Sequence, residues 1–307
     1  NDRYCLKKIY RGESWNPELL SPLSEPGNWV QEGSYILAVN ERELDVRENF
    51  YSYFLATAGK QTRLLINDKP DKAGARLVTI TPQASEFELR YREQLEKNRL
   101  LVDQLSQGKL GYVYLPNTSV DGYTFFNRYY FSQLNKEGMI LDERFNGGGY
   151  AADYIIDLMR RPLMNYWKGR WGNIGQTPQA ANFGPKAMLI NEYAGSGGDA
   201  MPYYFKQQKI GKLIGKRTWG GLVGITGYPP LMDGGYVTAP SVGFVDINGE
   251  FRVENEGVAP DIEVEWTPAE VIAGHDPQLE QAVAYLLEEL RKNPKKPFEP
   301  SPFPRGR

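Results

Sequence analysis

Four consecutive apolar residues, Ala187-Met188-Leu189-Ile190, run directly into Asn191-Glu192-Tyr193-Ala194-Gly195-Ser196-Gly197-Gly198-Asp199, and this junction constrains the fold more than any other stretch. An apolar run of this length without a polar face reads as a buried strand. Residues 200–207 read as the helix that follows, which puts Ser196 near a helix N-terminus. Backbone N–H groups are unpaired at such an end, and together with the helix dipole they favour developing negative charge. Gly195, Gly197 and Gly198 let another backbone approach without meeting a Cβ. A single hydroxyl set among small residues in this way suits a nucleophile; a turn or helix cap would use the same residue types.

The alternation continues on both sides. Strands are expected at 111–115, 138–142, 187–190 and 212–215, with helices at 124–134 and 151–159, which implies an α/β domain whose mixed or parallel sheet is covered by helices. Asp276 caps the last helix, Pro277 occupies its first turn, and Leu279, Val283, Leu286, Leu287 and Leu290 form its core-facing stripe. Residues 6–85 read differently, as a small β-rich module with strands at 35–40, 63–66 and 76–80 and a helix at 45–58. A charged helix at about 86–106 follows it. The expected organisation is therefore residues 1–85, residues 86–292, and a tail at 293–307 that is rich in proline and charge and expected to be extended or disordered.

The chain has 307 residues, 41% of them hydrophobic and 13% aromatic, enough for a sizeable core and two domains. A net charge of −2 gives no electrostatic footprint for nucleic acid or an anionic membrane. No apolar run is long enough to span a bilayer, and the first residues lack the apolar core of a signal peptide. With one cysteine, Cys5, an intrachain disulfide is excluded, which fits a reducing compartment; with one histidine, histidine-rich metal sites are excluded as well.

A hydroxyl attacking a carbonyl needs donors for the oxyanion, a base for its proton and a group to orient that base. Donors are available in a second glycine cluster, Asp142-Glu143-Arg144-Phe145-Asn146-Gly147-Gly148-Gly149, which closes a buried strand; Gly197 would supply another. A phosphate-binding loop would also carry clustered glycines, but no Gly-Lys-Ser and no Gly-x-Gly-x-x-Gly follows. Glu254, in Phe251-Arg252-Val253-Glu254-Asn255-Glu256-Gly257, is placed to orient a base; a surface carboxylate in a salt bridge or turn would look the same.

Two resemblances follow from these residues. The phrase Val30-Gln31-Glu32-Gly33-Ser34-Tyr35-Ile36-Leu37-Ala38-Val39-Asn40 resembles the signature of PDZ domains, which bind extended peptide ends along a sheet edge. The whole span from about Leu6 to Leu290 resembles the C-terminal processing (tail-specific) serine peptidases of the tricorn type. The segment Gly211-Lys212-Leu213-Ile214-Gly215-Lys216-Arg217-Thr218-Trp219-Gly220-Gly221-Leu222-Val223-Gly224-Ile225 is similar to the tricorn version almost residue for residue. That resemblance implies a PDZ-like domain followed by a crotonase-like α/β spiral. It matches Ser196 to the nucleophile, Gly149 and Gly197 to the oxyanion-hole donors, and Glu254 to the glutamate of a Ser-His-Ser-Glu tetrad. It also implies a peptide or unfolded-protein substrate, a hexameric homo-oligomer, a cytoplasmic or exported location and no metal or organic cofactor.

Two departures qualify the match. Many processing peptidases use a lysine base, but Gly221 stands where that lysine would be. Tricorn-type enzymes carry their histidine in a segment upstream of the PDZ domain, and this chain starts inside or just before that domain. The single histidine, His275, precedes the cap of the last helix and reads as a surface residue. The base is thus expected from a segment outside these 307 residues. From 158 to 191 the chain has no Asp or Glu, whereas Arg160, Arg161, Lys168, Arg170 and Lys186 are present, so apolar or acidic substrate residues are expected before the scissile bond. Two other classes compete with the hydrolase. One is a PDZ scaffold with a degenerate peptidase half; the other is acyl-CoA chemistry on a crotonase fold, which lacks a serine nucleophile and a PDZ domain.

Overall fold

The computed structural model describes residues 3–16, 19–294 and 298–303. The chain divides into two compact units, residues 1–97 and residues 98–307, with the division inside helix α1 (Phe87–Leu105). In the first unit, β1 (Tyr4–Cys5), β2 (Tyr35–Val39), β3 (Arg42–Glu43), β4 (Thr62–Asn67) and β5 (Arg76–Ile80) form one antiparallel sheet in the order β1-β2-β4-β5, with β3 also on β2. Period-two alternation aims Leu64 and Ile66 of β4, and Val78 and Ile80 of β5, into a core shared with Ile36, Val39, Leu44 and Tyr53.

The helix expected at 45–58 is absent; only a short 3-10 turn, Phe50–Phe54, forms there. Local polar side chains explain the difference. Asp45 accepts the Arg47 N–H at 2.9 Å and Asn49 accepts that of Tyr51 at 3.0 Å, so the backbone is held in turns instead of a helical ladder.

The second unit carries a parallel sheet of five strands: β6 (Leu110–Tyr114), β7 (Gly138–Asp142), β10 (Lys186–Ile190), β11 (Gly211–Gly215) and β14 (Ile262–Glu263), adjacent in that order. Each new strand joins the same edge, so the chain winds in one direction. Between them run α2 (Val120–Phe131), α3 (Ala152–Met159) and α4 (Gly197–Gln207), the two-stranded pairs β8 (Asn165–Lys168) with β9 (Ile174–Thr177) and β12 (Gly224–Thr226) with β13 (Ala239–Val242), and, after β14, α5 (Pro268–Ala273) and α6 (Pro277–Lys292).

The central strands are buried on both faces, which is why their middle residues are apolar. Met188 and Ile190 of β10 pack with Met139, Leu141 and Leu213 against α2, α3 and α4, through Phe126, Ile155, Met201 and Phe205. Ala187 and Leu189 point the other way, with Ile140 and Ile214, onto Val102 of α1 and Leu279, Val283 and Leu286 of α6. Asp276 caps α6 as expected, accepting the Leu279 N–H at 3.0 Å. In the tail, residues 295–297 and 304–307 lie outside the described residues. Phe298 stacks on Tyr166 of β8 with ring centroids 3.7 Å apart, and Lys168 Nζ donates to Ser301 O at 2.8 Å.

Candidate active site

Parallel strands all end on the same side, and the turns that leave β6, β7, β10 and β11 there are stitched together by backbone hydrogen bonds. Gly147 N donates to Pro116 O, Thr118 N to Gly148 O, Gly195 N to Asn146 O, and Trp219 N to Ala194 O, all at 2.9–3.0 Å. Two asparagines seal the joints. Asn146 Oδ1 accepts the Gly148 amide at 2.9 Å, and Asn191 Oδ1 accepts that of Phe145 at 2.9 Å.

Ser196 is the N-cap of α4, which begins three residues earlier than the sequence suggests. Its backbone lies at φ 56° and ψ −115°, a conformation costing about 1–3 kcal/mol for a residue with a Cβ. The surroundings hold it there: its N–H donates to Gly221 O at 2.9 Å, and its carbonyl accepts the amides of Asp199 and Ala200 at 2.9 and 3.0 Å. This turn aims the side chain at the glycine cluster, where a Cβ on Gly148 would lie 2.9 Å from Ser196 Oγ.

Gly149 and Gly197 come together beside it. A Cβ on Gly197 would fall 2.8 Å from Gly149 N. Neither the Gly149 nor the Gly197 N–H has a hydrogen-bond acceptor among the described residues. Gly149 has φ 133° and lies against Thr118, whose carbonyl oxygen would be 2.3 Å from a Cβ there, so only glycine fits.

Asp199 escaped the sequence reading. Fully buried in the first turn of α4, it accepts the Thr218 hydroxyl at 2.5 Å and the amides of Gly220 and Gly221 at 2.8 and 3.0 Å. Burial raises its pKa from the ordinary aspartate value, and these hydrogen bonds oppose the shift. Through it the loop after β11 is fixed, and with that loop the carbonyl that holds Ser196 N. Glu254 lies between two residues of positive φ, Val253 at 74° and Asn255 at 62°. Its Oε2 accepts the amides of Leu222 and Val223 at 2.5 and 2.9 Å.

Ser196, Gly149, Gly197 and Glu254 line one cleft of about 920 Å³, so the structure brings together all four residues singled out from the sequence. Its further walls include Ala152, Asp153, Tyr204, Trp219, Leu222 and Phe244. No histidine, lysine or arginine lines it among the described residues. His275 is exposed between α5 and α6, with Nδ1 3.7 Å from Glu280 Oε1. No group of three or more His, Cys, Asp or Glu among the described residues could hold a metal ion, and no described helix is long and apolar enough to cross a membrane.

The sequence and fold that carry this strained serine resemble known proteins. The profile of peptidase family S41 fits residues 109–264, and that of the tricorn protease PDZ domain fits residues 1–85. The chain belongs to peptidase family S41. Over 302 residues it is 35% identical to the tricorn protease of Thermoplasma acidophilum, covering 98% of this chain and 28% of that protein. A tricorn protease homolog of Saccharolobus solfataricus is 35% identical over 294 residues, covering 94% of this chain and 27% of the relative. Among solved structures, the crystal structure of the tricorn protease superposes with a TM-score of 0.86 at 35% identity, over 95% of this chain and 28% of that one. This S41 chain thus spans a little over a quarter of the length of these relatives. Its architecture is the expected one, a PDZ domain followed by an α/β S41 domain of crotonase-like type.

Proposed function

We propose that this chain carries the acylating centre of a serine endopeptidase. Ser196 Oγ attacks the scissile carbonyl, the oxyanion is held by the Gly149 and Gly197 amides, and Glu254 orients the base that takes the serine proton. The supporting observation is the pair of unpaired amides meeting beside the strained serine. In this reading the base is a histidine from a segment outside these 307 residues, since none lines the cleft among the described residues. The substrate is a peptide or unfolded protein, residues 1–85 form the PDZ module and residues 86–292 the catalytic one, and the working particle is a cytoplasmic homo-oligomer, as the tricorn resemblance implies.

A fluorophosphonate probe tests this directly. Covalent labelling that maps to Ser196 and disappears in Ser196→Ala is expected. A folded protein that remains unlabelled when supplied with that histidine segment, or is labelled elsewhere, sinks the proposal. That result would favour the second reading, a peptide-binding scaffold, for which the absence of a base from the described cleft residues also speaks.

A further inference from the structure

Gly195 and Gly221 flank Ser196, one by sequence and the other through its carbonyl, yet neither has a positive φ that would call for glycine. What excludes a side chain at both is one indole. A Cβ on Gly195 would lie 2.6 Å from Trp219 Cε3, and a Cβ on Gly221 would lie 2.5 Å from both Cε3 and Cζ3 of the same ring. The six-membered ring is therefore packed on two bare backbone segments. Even so, Trp219 is 70% exposed and lines the cleft. A large aromatic surface fixed on one side and open on the other, at the mouth of a cleft, is costly to leave in water and is shaped to receive another apolar surface.

We propose that Trp219 is a specificity-determining residue whose open ring face stacks on an apolar, preferentially aromatic, side chain of the peptide next to the scissile bond. This rests on the reading of the cleft as a peptidase site. The neighbouring walls agree, because Leu222, Val223, Tyr204 and Phe244 continue the apolar surface. A cation would also suit an indole face, and two carboxylates line the cleft. The Oε2 of Glu254 is held by two amides and its other oxygen is the one left to orient the base, however, and Asp153 is exposed to water, which screens its charge.

The test is equilibrium binding of three blocked, fluorescently labelled peptides, identical except for Phe, Ala or Arg before the scissile bond, to the Ser196→Ala protein. The Phe peptide is expected to bind about tenfold tighter than the Ala peptide. Trp219→Leu, which still covers Gly195 and Gly221 with apolar atoms, is expected to bring that ratio to within about twofold, while Trp219→Tyr keeps most of it. An unchanged ratio in Trp219→Leu, no discrimination in the Ser196→Ala parent, or strongest binding of the Arg peptide overturns the proposal. Binding to Ser196→Ala needs no chemistry, so a failure of fluorophosphonate labelling in the unsubstituted protein supplied with its base would remove the peptidase reading and leave this ratio measurable.

Discussion

Gly197 is pressed so closely on Gly149 that a Cβ on the first would lie 2.8 Å from the amide nitrogen of the second and 2.0 Å from Thr118 Oγ1. Thr118 is fully buried and its backbone brackets the glycine segment, with its N–H on Gly148 O and its carbonyl under Ala151 N. It cannot retreat. Gly197→Ala must therefore push the two amides apart. Stability is expected to fall by about 1–3 kcal/mol, as for overpacking elsewhere, and the rate of acylation by about a hundred- to a thousandfold, the effect of losing an oxyanion donor. Labelling of Ser196 at the parental rate would show that this pair of amides is not the oxyanion site.

Asp199 acts on the same serine from below. Replacing it by alanine leaves the Thr218 hydroxyl and two amides buried without their acceptor, so a loss of about 2–5 kcal/mol is expected in chemical denaturation, together with loss of Ser196 labelling. Asp199→Asn is milder. Its remaining oxygen can still accept from Thr218 and Gly220, but its amide group then faces the Gly221 N–H, donor against donor. If Asp199→Ala proved as stable as the parent, the loop after β11 would have to be held by something else.

Why Asp199 was invisible in the sequence, while Ser196 was not, is instructive. Ser196 announces itself through local residues: an apolar strand before it and glycines around it. An aspartate in the first turn of a helix looks like an ordinary partner for the helix dipole. Its burial arises only because Thr218, Gly220 and Gly221, some twenty residues on, fold over it. Glu254 could be read from its local residues either as an orienting group or as a surface carboxylate, since its contacts to Leu222 and Val223 cross more than thirty residues. The strands β6, β7, β10 and β11 were readable because a doubly covered strand needs a continuous apolar run through its middle. The failed helix at 45–58 shows the converse: apolar and charged residues without a stripe leave the outcome to Asp45 and Asn49.

Glu143 gives the molecule a pH dependence. It is fully buried, neither carboxyl oxygen has a hydrogen-bond partner among the described residues, and burial, then the nearby Asp199 and Asp142, drive its pKa well above 4.5. A carboxyl whose folded pKa lies above its unfolded one favours the fold while protonated. Its contribution is fully present below pH 4.5 and is lost as pH rises through the folded value. Glu143→Gln cannot ionise, so it is expected to be more stable than the parent by at least about 1 kcal/mol on the alkaline side and nearly equal to it in acid. Thermal midpoints of the two proteins, followed from below pH 4.5 into the alkaline range, would check this. Parallel curves would mean that Glu143 stays in one protonation state throughout.

The two oxygens of Glu254 have different surroundings, and that separates its possible duties. Oε2 holds the Leu222 and Val223 amides, whereas Oε1 has no hydrogen-bond partner among the described residues and is the oxygen left to orient a base. Glutamine can present its oxygen to the two amides and its NH₂ group where Oε1 stood, converting only the outward acceptor into a donor. Glu254→Gln is therefore expected to keep its thermal midpoint, with a stability change within about 1 kcal/mol, while peptide hydrolysis by protein supplied with its base falls a hundredfold or more. Glu254→Ala strands both amides as well, and should lose about 1–3 kcal/mol in addition to activity. Were Glu254→Gln to hydrolyse peptides at the parental rate while Glu254→Ala unfolded early, the residue would be a brace for the loop over Ser196, and the base would have to be oriented by another group.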